Sequence, residues 1–215
     1  MDEIINKYFL LKQYNVSRET CIDFERFICM IEDRNKEINL VSKKYSKVEV
    51  IRNRHIIDSA QIIDFIDLNS NTTTDLGSGG GFPGIIMAIM IKNMRKDIKV
   101  SLYEKSYRKS SFLREVSRKL DLDTEIIQKD IFEMKNLKSG TITARAFKPL
   151  PVLLELVYKN FNSYKNLILF MGKSGNSTLK EAQVNWEFDF KKRKSITSKD
   201  SFLLNIKNIK KKDKN

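Results

Sequence analysis

Residues 72–85 read TTTDLGSGGGFPGI, and five of the chain's eight glycines fall between Gly77 and Gly84. The threonines before this run favour a strand and the isoleucines and methionines after it favour a buried helix. The glycines therefore mark a sharp strand-to-helix turn. The alternation continues downstream. KVSLYE, TEIIQ, TITARAF and NLILFM read as strands, while PGIIMAIMIKNM, SSFLREVSRKL, LPVLLELVYKNF and a stretch near STLKEAQ read as helices. WEFDF and SFLLNIKNI close the chain as two strands of antiparallel character. This pattern predicts an α/β fold: a mostly parallel seven-stranded sheet with helices on both faces and an antiparallel C-terminal strand.

The first seventy residues carry a helical period instead. Ser17 is placed to cap a helix through RETCIDFERFICMIEDRNKEIN, with Phe24, Phe27, Ile28 and Ile31 on one face. HIIDSAQIIDFIDL predicts a second helix, with Ile56, Ala60, Ile63, Phe65 and Ile66 turned inward. The expected organisation is a helical extension over 1–70, an α/β domain over 71–209 and a disordered basic tail over 210–215. Cys21 and Cys29 stand eight residues apart on the first helix. That spacing spans about 12 Å of helix, too far for a disulfide, and both are expected to be buried thiols.

Forty Lys and Arg against 27 Asp and Glu leave a net charge of +13. A proteome rich in Lys, Asn and Ile is one source of such a bias. A polyanionic partner, RNA above all, is the other. Basic clusters at Lys43–Lys44, Arg52–Arg54, Lys105–Lys109, Lys191–Lys194 and Lys210–Lys212 are spread along the chain, as for a surface assembled by folding. No apolar run approaches the roughly 20 residues of a membrane span. The N-terminus has acids where a secretory signal has bases. A cytoplasmic protein with no membrane partner is expected.

A glycine turn after the first strand of a doubly wound sheet is where a nucleotide-like ligand lies against bare backbone. The loop lacks the lysine of a phosphate-binding loop. Gly172-Lys173-Ser174 supplies that triplet elsewhere, but Leu167 stands where its earlier glycine is needed. The dinucleotide fingerprint fails at its third glycine, where Phe82 stands, which sets a nicotinamide dehydrogenase aside. What remains, Asp75-x-Gly77-x-Gly79-x-Gly81, resembles motif I of the S-adenosylmethionine-dependent methyltransferases. Glu104 ends the second strand 23 residues past Gly81, where a carboxylate would meet the ribose hydroxyls of an adenosine. Asp130 and the apolar pair Ile131-Phe132 follow the third strand, where an adenine ring would be sandwiched.

The ending Phe82-Pro83-Gly84-Ile85 narrows the resemblance to the bacterial 16S ribosomal RNA guanine-N7 methyltransferase G family, also called glucose-inhibited division protein B. Asn39-Leu40, Arg54-His55-Ile56-Ile57-Asp58-Ser59, Phe112-Leu113-Arg114-Glu115 and Ala144-Arg145-Ala146-Phe147 agree in order along nearly the whole chain. The resemblance implies a Rossmann-like class I S-adenosylmethionine-dependent methyltransferase with a helical N-terminal extension. It also implies methylation of a guanine N7 in the decoding-region loop of 16S ribosomal RNA. The expected partner is that RNA, free or in the small ribosomal subunit, and the chain is expected to act as a monomer. Cofactor contacts are then expected at Gly77, Phe82, Ile131, Phe132 and Arg145. Two departures from the family bear on the site: cofactor contacts near Phe132, where the family usually has an acid, are expected to fall to the backbone, and its usual Lys-Gly after the fifth strand is reversed as Gly172-Lys173. Lys173 therefore takes no role from the resemblance.

Guanine N7 carries an exposed lone pair, so the reaction calls for positioning and electrostatics rather than a general base. No catalytic residue and no metal site is assigned. On the substrate side the candidates are Arg54 and Arg145 to grip a phosphate or the cofactor carboxylate, and His55, the only histidine, with Asp58 beside it. Arg145 has an alternative as an ion-pair partner of Asp75 or Glu104. Phe147 is a candidate to stack a flipped guanine or to fill the core. A methyltransferase of another substrate is the first alternative, disfavoured by the charge. A non-catalytic RNA-binding protein of the same fold is the second, disfavoured by the intact glycine loop with Glu104.

Overall fold

The computed structural model describes residues 3–94 and 96–213. Seven strands form one sheet: β1 (Thr72–Leu76), β2 (Lys99–Tyr103), β3 (Thr124–Ile127), β4 (Leu137–Ala144), β5 (Phe161–Met171), β6 (Trp186–Lys194) and β7 (Phe202–Lys211). Their order is β3-β2-β1-β4-β5-β7-β6, and every pairing is parallel except those of β7, which opposes both β5 and β6. The strand order reverses between β1 and β4. The chain therefore leaves these neighbours in opposite directions and opens a crevice at their carboxyl ends.

Among the described residues, eight α-helical segments accompany the sheet: α1 (Glu3–Asn6), α2 (Arg18–Arg34), α3 (Val48–Ile51), α4 (Asp58–Ala60), α5 (Gly84–Asn93), α6 (Tyr107–Lys119), α7 (Leu150–Asn160) and α8 (Gly175–Asn185). α5, GIIMAIMI followed by Lys-Asn, is buried from Gly84 to Ile91, as an all-apolar helix must be. It packs with α6 and the helical extension on one face of the sheet, where Phe24, Phe27, Ile89 and Phe112 share a core. α7 and α8 cover the other face with Leu154, Val157 and Leu179, which share a core with Trp186 of β6. Each fully buried phenylalanine of the first core contributes about 2–3 kcal/mol by leaving water.

Ser17 caps α2 as its position predicts, its Oγ accepting from Thr20 N at 3.2 Å. The helix stops at Arg34, short of the predicted end, because the Asn35 side chain turns the chain. Asn35 Oδ1 accepts from Leu40 N at 2.8 Å and Val41 N at 3.0 Å. The second predicted helix is broken. Arg52–Ile57 is π-helical, α4 follows, and Gln61–Phe65 closes as a 3-10 turn. Ile56, Ala60, Ile63 and Ile66 are nonetheless buried as their spacing demands.

Three further expectations change. Cys21 is buried but Cys29 is exposed, on the outer face of α2. Lys210 and Lys211 belong to β7 rather than to a disordered tail; Lys212 N donates to Asn185 O at 3.0 Å and Lys211 pairs with Glu155 at 3.1 Å. Lys214 and Asn215 lie outside the described residues. β4 ends at Ala144, so Arg145 and Phe147 leave the sheet, with Ala146 between them at φ +50°. A left-handed alanine is a strained conformation of the kind that clusters at functional sites.

Candidate active site

A cavity of about 820 Å³ opens at the carboxyl ends of β1, β2 and β4 and runs between the glycine loop and the helical extension. The loop is tied to β2 twice: Ser78 N donates to Tyr103 O at 3.0 Å, and Gly79 N donates to Glu104 Oε2 at 2.9 Å. The other Glu104 oxygen accepts from Ser106 N at 2.8 Å, so the carboxylate is held at the strand end while lining the cavity. Gly79 has φ +56°, and a Cβ there would meet only Gly77 O at 3.8 Å. It is a bare, left-handed position facing open space, the cradle that a ligand fills.

The other glycines answer to the protein itself. A Cβ on Gly77 would lie 2.1 Å from the Phe147 ring, and one on Gly81 would lie 2.8 Å from Ile85 Cγ1 and 3.0 Å from the Phe27 ring. Gly77 lines the cavity; Gly81 does not. Asp75 is also absent from the walls, being fully buried behind the loop. Its Oδ2 accepts from Gly84 N at 3.1 Å, at the start of α5, and its Oδ1 from Thr143 Oγ1 at 2.8 Å. Burial pushes its carboxyl up to about 6, against hydrogen bonds from Thr143, Ser78 and Gly84 that favour the charged form. Asp75 and Gly81 therefore shape the loop without reaching the cavity, a correction to their reading as contacts.

The remaining candidates converge. The Phe82 ring, joined to Pro83 through a cis peptide, sits 4.9 Å from the His55 ring on one side and 5.5 Å from Phe27 on the other. His55 thus lies between the extension and the loop, and its buried Nε2 has no hydrogen-bond partner among the described residues. Burial first, then the Arg145 and Arg54 charges, push the imidazole down to about 3, so it is neutral near pH 7. Arg145 reaches back from β4 to the extension. It pairs with Asp58 Oδ2 at 3.0 Å and donates to Arg54 O at 2.6 Å and Ser59 Oγ at 3.2 Å. Its ion-pair partner is Asp58, not Asp75 or Glu104. Burial pushes the guanidinium down and Asp58 pushes it back up.

Asp58 is the hub of this corner. Its Oδ1 accepts from Gln61 Nε2 at 2.8 Å, Ser195 Oγ at 2.9 Å and Thr197 Oγ1 at 2.7 Å, which fastens the β6–β7 loop to the extension. On the opposite wall, Ile131 is buried and Phe132 is partly exposed, 6.2 Å from Phe147. Asp130 Oδ1 caps their turn by accepting from Phe132 N at 3.2 Å. Lys105, Lys109, Lys129 and Lys148 line the same wall. Tyr107, Arg108 and Lys109 open α6, where positive charge opposes the helix dipole at a cost of a few tenths of a kcal/mol each. Lys173 is away from this arrangement, exposed and paired with Asp200 at 3.5 Å.

A family model described as rRNA small subunit methyltransferase G matches residues 20–206. The chain belongs to that family. It is 65% identical over 213 residues to the ribosomal RNA small subunit methyltransferase G of Pelagibacter ubique, covering 99% of this chain and all of the relative. The protein of the same name from Bartonella henselae is 37% identical over 199 residues, covering 91% of this chain and 90% of its own. Among solved structures, an S-adenosylmethionine-dependent methyltransferase from Aquifex aeolicus superposes with a TM-score of 0.54 at 14% identity, over 70% of this chain and 89% of its own, which shows a shared fold.

For a member of the methyltransferase G family, the residues present fit S-adenosylmethionine. The open Gly79 backbone and the Glu104 carboxylate stand together at the strand ends. The Ile131–Phe132 pair supplies an apolar wall, and the cavity is larger than one nucleoside needs. Sequence reasoning missed Tyr45, Ser195 and Thr197, which also line the cavity. Only the basic pair Lys43-Lys44 before Tyr45 gave any signal, and nothing near Ser195 did.

Proposed function

We propose that this chain methylates the N7 of one guanine in 16S ribosomal RNA, using S-adenosylmethionine. The observation that carries the reading is the bare, left-handed Gly79 tied to Glu104 within a cavity that continues to a basic mouth. When bound, S-adenosylmethionine would supply an electrophilic methyl carbon on a sulfonium, open to attack by a lone pair without prior activation because the carbon–sulfur bond breaks to release a neutral thioether. Glu104, Gly79 and the Ile131–Phe132 turn would hold it, with Phe82 and Arg145 bounding the same space.

Guanine N7 needs no proton removed, and the groups beside it are not tuned to take one: His55, pushed down to about 3, is a weak base, and Glu104 is held by two backbone N–H groups. The protein's contribution is placement. The Asp58–Arg145 pair joins the extension, the β4–α7 loop and the β6–β7 loop around the reacting space. Closure of the cavity by these elements keeps the reacting groups aligned, the main source of acceleration in such a displacement. The net charge of +13 supports a polyanionic substrate, met in the cytoplasm.

Mass spectrometry of 16S ribosomal RNA from cells lacking the protein tests the reading. One 7-methylguanosine should disappear and return with the wild-type gene. Gly79→Leu should not restore it: a folded variant by circular dichroism should show at least a hundredfold loss of S-adenosylmethionine affinity in calorimetry. An unchanged set of modified nucleotides in the deletion strain would overturn the function. Unchanged affinity in Gly79→Leu would overturn the placement of the cofactor.

A further inference from the structure

Tyr45 and Arg54 meet at the cavity mouth in a way the fold does not require. Arg54 is an exposed residue whose Cζ lies 4.1 Å from the Tyr45 ring centroid, with Lys44 Nζ 5.7 Å from the same ring. Among the described residues the Arg54 guanidinium has no carboxylate partner and no hydrogen bond, and the Tyr45 hydroxyl has none either. The nearby carboxylate of Asp58 is paired with Arg145 instead. An arginine kept for the fold is expected to bring its acid with it; this one brings an aromatic ring.

The segment leading to the platform is tied down. Asn35 fixes the backbone at Leu40 and Val41, and Leu40 O sits where a Cβ on Gly80 would come within 2.8 Å. The lip carrying Tyr45 is therefore seated on the glycine loop. Arg54 comes from the π-helical stretch, whose Arg54 carbonyl is held by Arg145. A flat cation on an aromatic ring, set at a fixed height over the cavity, offers a stacking face and a charge together. Unpaired bases of RNA are recognised by such aromatic and guanidinium planes.

We propose that Tyr45 and Arg54 form a stacking platform for an unpaired base adjoining the nucleotide that enters the cavity, with the Arg54 charge on its phosphate. This rests on the RNA reading above. The interior of the cavity belongs to the target base and the cofactor, so a platform at the mouth serves a neighbour. It holds the strand at the point where the target must leave its stack.

Full-length Tyr45→Ala, Tyr45→Phe, Arg54→Ala and Arg54→Lys variants are compared on small ribosomal subunits from cells lacking the protein. Tyr45→Ala and Arg54→Lys should each raise KM for the subunit roughly tenfold. The kcat, the S-adenosylmethionine affinity and the melting temperature should stay near wild type, and Tyr45→Phe should keep the wild-type KM. Lysine retains the charge without the plane, so Arg54→Lys separates stacking from simple attraction. If Arg54→Lys behaves as wild type while Arg54→Ala fails, Arg54 grips phosphate alone and the platform is wrong. Wild-type KM in Tyr45→Ala overturns it as well. A second arm uses a single-stranded oligoribonucleotide carrying 2-aminopurine, whose fluorescence is quenched by stacking. Quenching by the wild type that is lost in Tyr45→Ala supports the platform even if no methylation occurs, and equal quenching overturns it. Absence of methylation by the wild type alone would instead sink the parent function.

Discussion

Arg52 and Arg54 lie two residues apart on the same π-helical stretch, and their surroundings are opposite. Arg52 is buried and forks onto Glu25, Nε to Oε1 at 2.7 Å and Nη2 to Oε2 at 2.8 Å, while the Tyr8 hydroxyl donates to the same carboxylate at 2.7 Å. Burial works against the charge on Glu25, but Arg52 and Tyr8 outweigh it and hold the carboxyl below its usual range. Arg54 points the other way, exposed, with a ring beneath it and no acid. The first arginine fastens the extension to itself. The second adds positive charge to a mouth that already holds Arg145 and the lysines at 109, 129 and 148. Such a surplus opposes folding slightly and is retained where a polyanion arrives.

Cutting the satisfied side should give the largest effect. Glu25→Ala strands the buried Arg52 guanidinium and should lower the unfolding free energy by about 3–5 kcal/mol, measured by urea denaturation. A change below about 1 kcal/mol would show that Arg52 finds water or another partner, and the contrast with Arg54 would collapse.

The carboxylates sharpen the same contrast. Glu25 has its arginine; Asp75, fully buried behind the glycine loop, has hydroxyl and backbone donors only, and burial pushes it from 3.8 up to about 6. A carboxyl raised in the folded state binds a proton there that the unfolded chain releases. Its contribution to stability is full below about pH 4 and is lost as pH rises through 6. Between those limits the wild type should lose about 3 kcal/mol relative to Asp75→Asn, which has nothing to titrate. Parallel stability curves for the two proteins from pH 4 to 8 would show that Asp75 stays ionised in the fold.

Much of this was legible in the sequence, and the reasons differ by region. The strands of the sheet are short apolar or β-branched runs between turns, and β1 falls at TTTDL as read. Gly79, Glu104 and the Ile131–Phe132 pair are local features at strand ends, and the structure brings them to one cavity. The same glycine run misled at Gly81, whose missing side chain makes room for Phe27, 54 residues earlier. The break at Arg52–Ile57 was not legible, because Arg145 meets its Arg54 carbonyl from 91 residues away. Asp58 read as a substrate-side residue, but its oxygens are occupied by Arg145, Gln61, Ser195 and Thr197. Long-range satisfaction of polar groups leaves no periodic trace, so it separates structural charges from available ones only after folding.

The unsatisfied side should give the smallest effects on stability and the clearest on electrostatics. Arg54→Ala removes no ion pair, so the unfolding free energy should change by no more than about 0.5 kcal/mol. His55 reports the field directly. It is the chain's only histidine, so its ring resonances in NMR are unambiguous. Its pKa of about 3 reflects burial first, then Arg145, then Arg54. Removing Arg54 should therefore move the imidazole midpoint upward, by less than removing Arg145 does, while the ring stays neutral at pH 7. A midpoint indifferent to Arg54 would mean that its charge is already screened at the mouth, and the surplus that distinguishes Arg54 from Arg52 would not reach the reacting space.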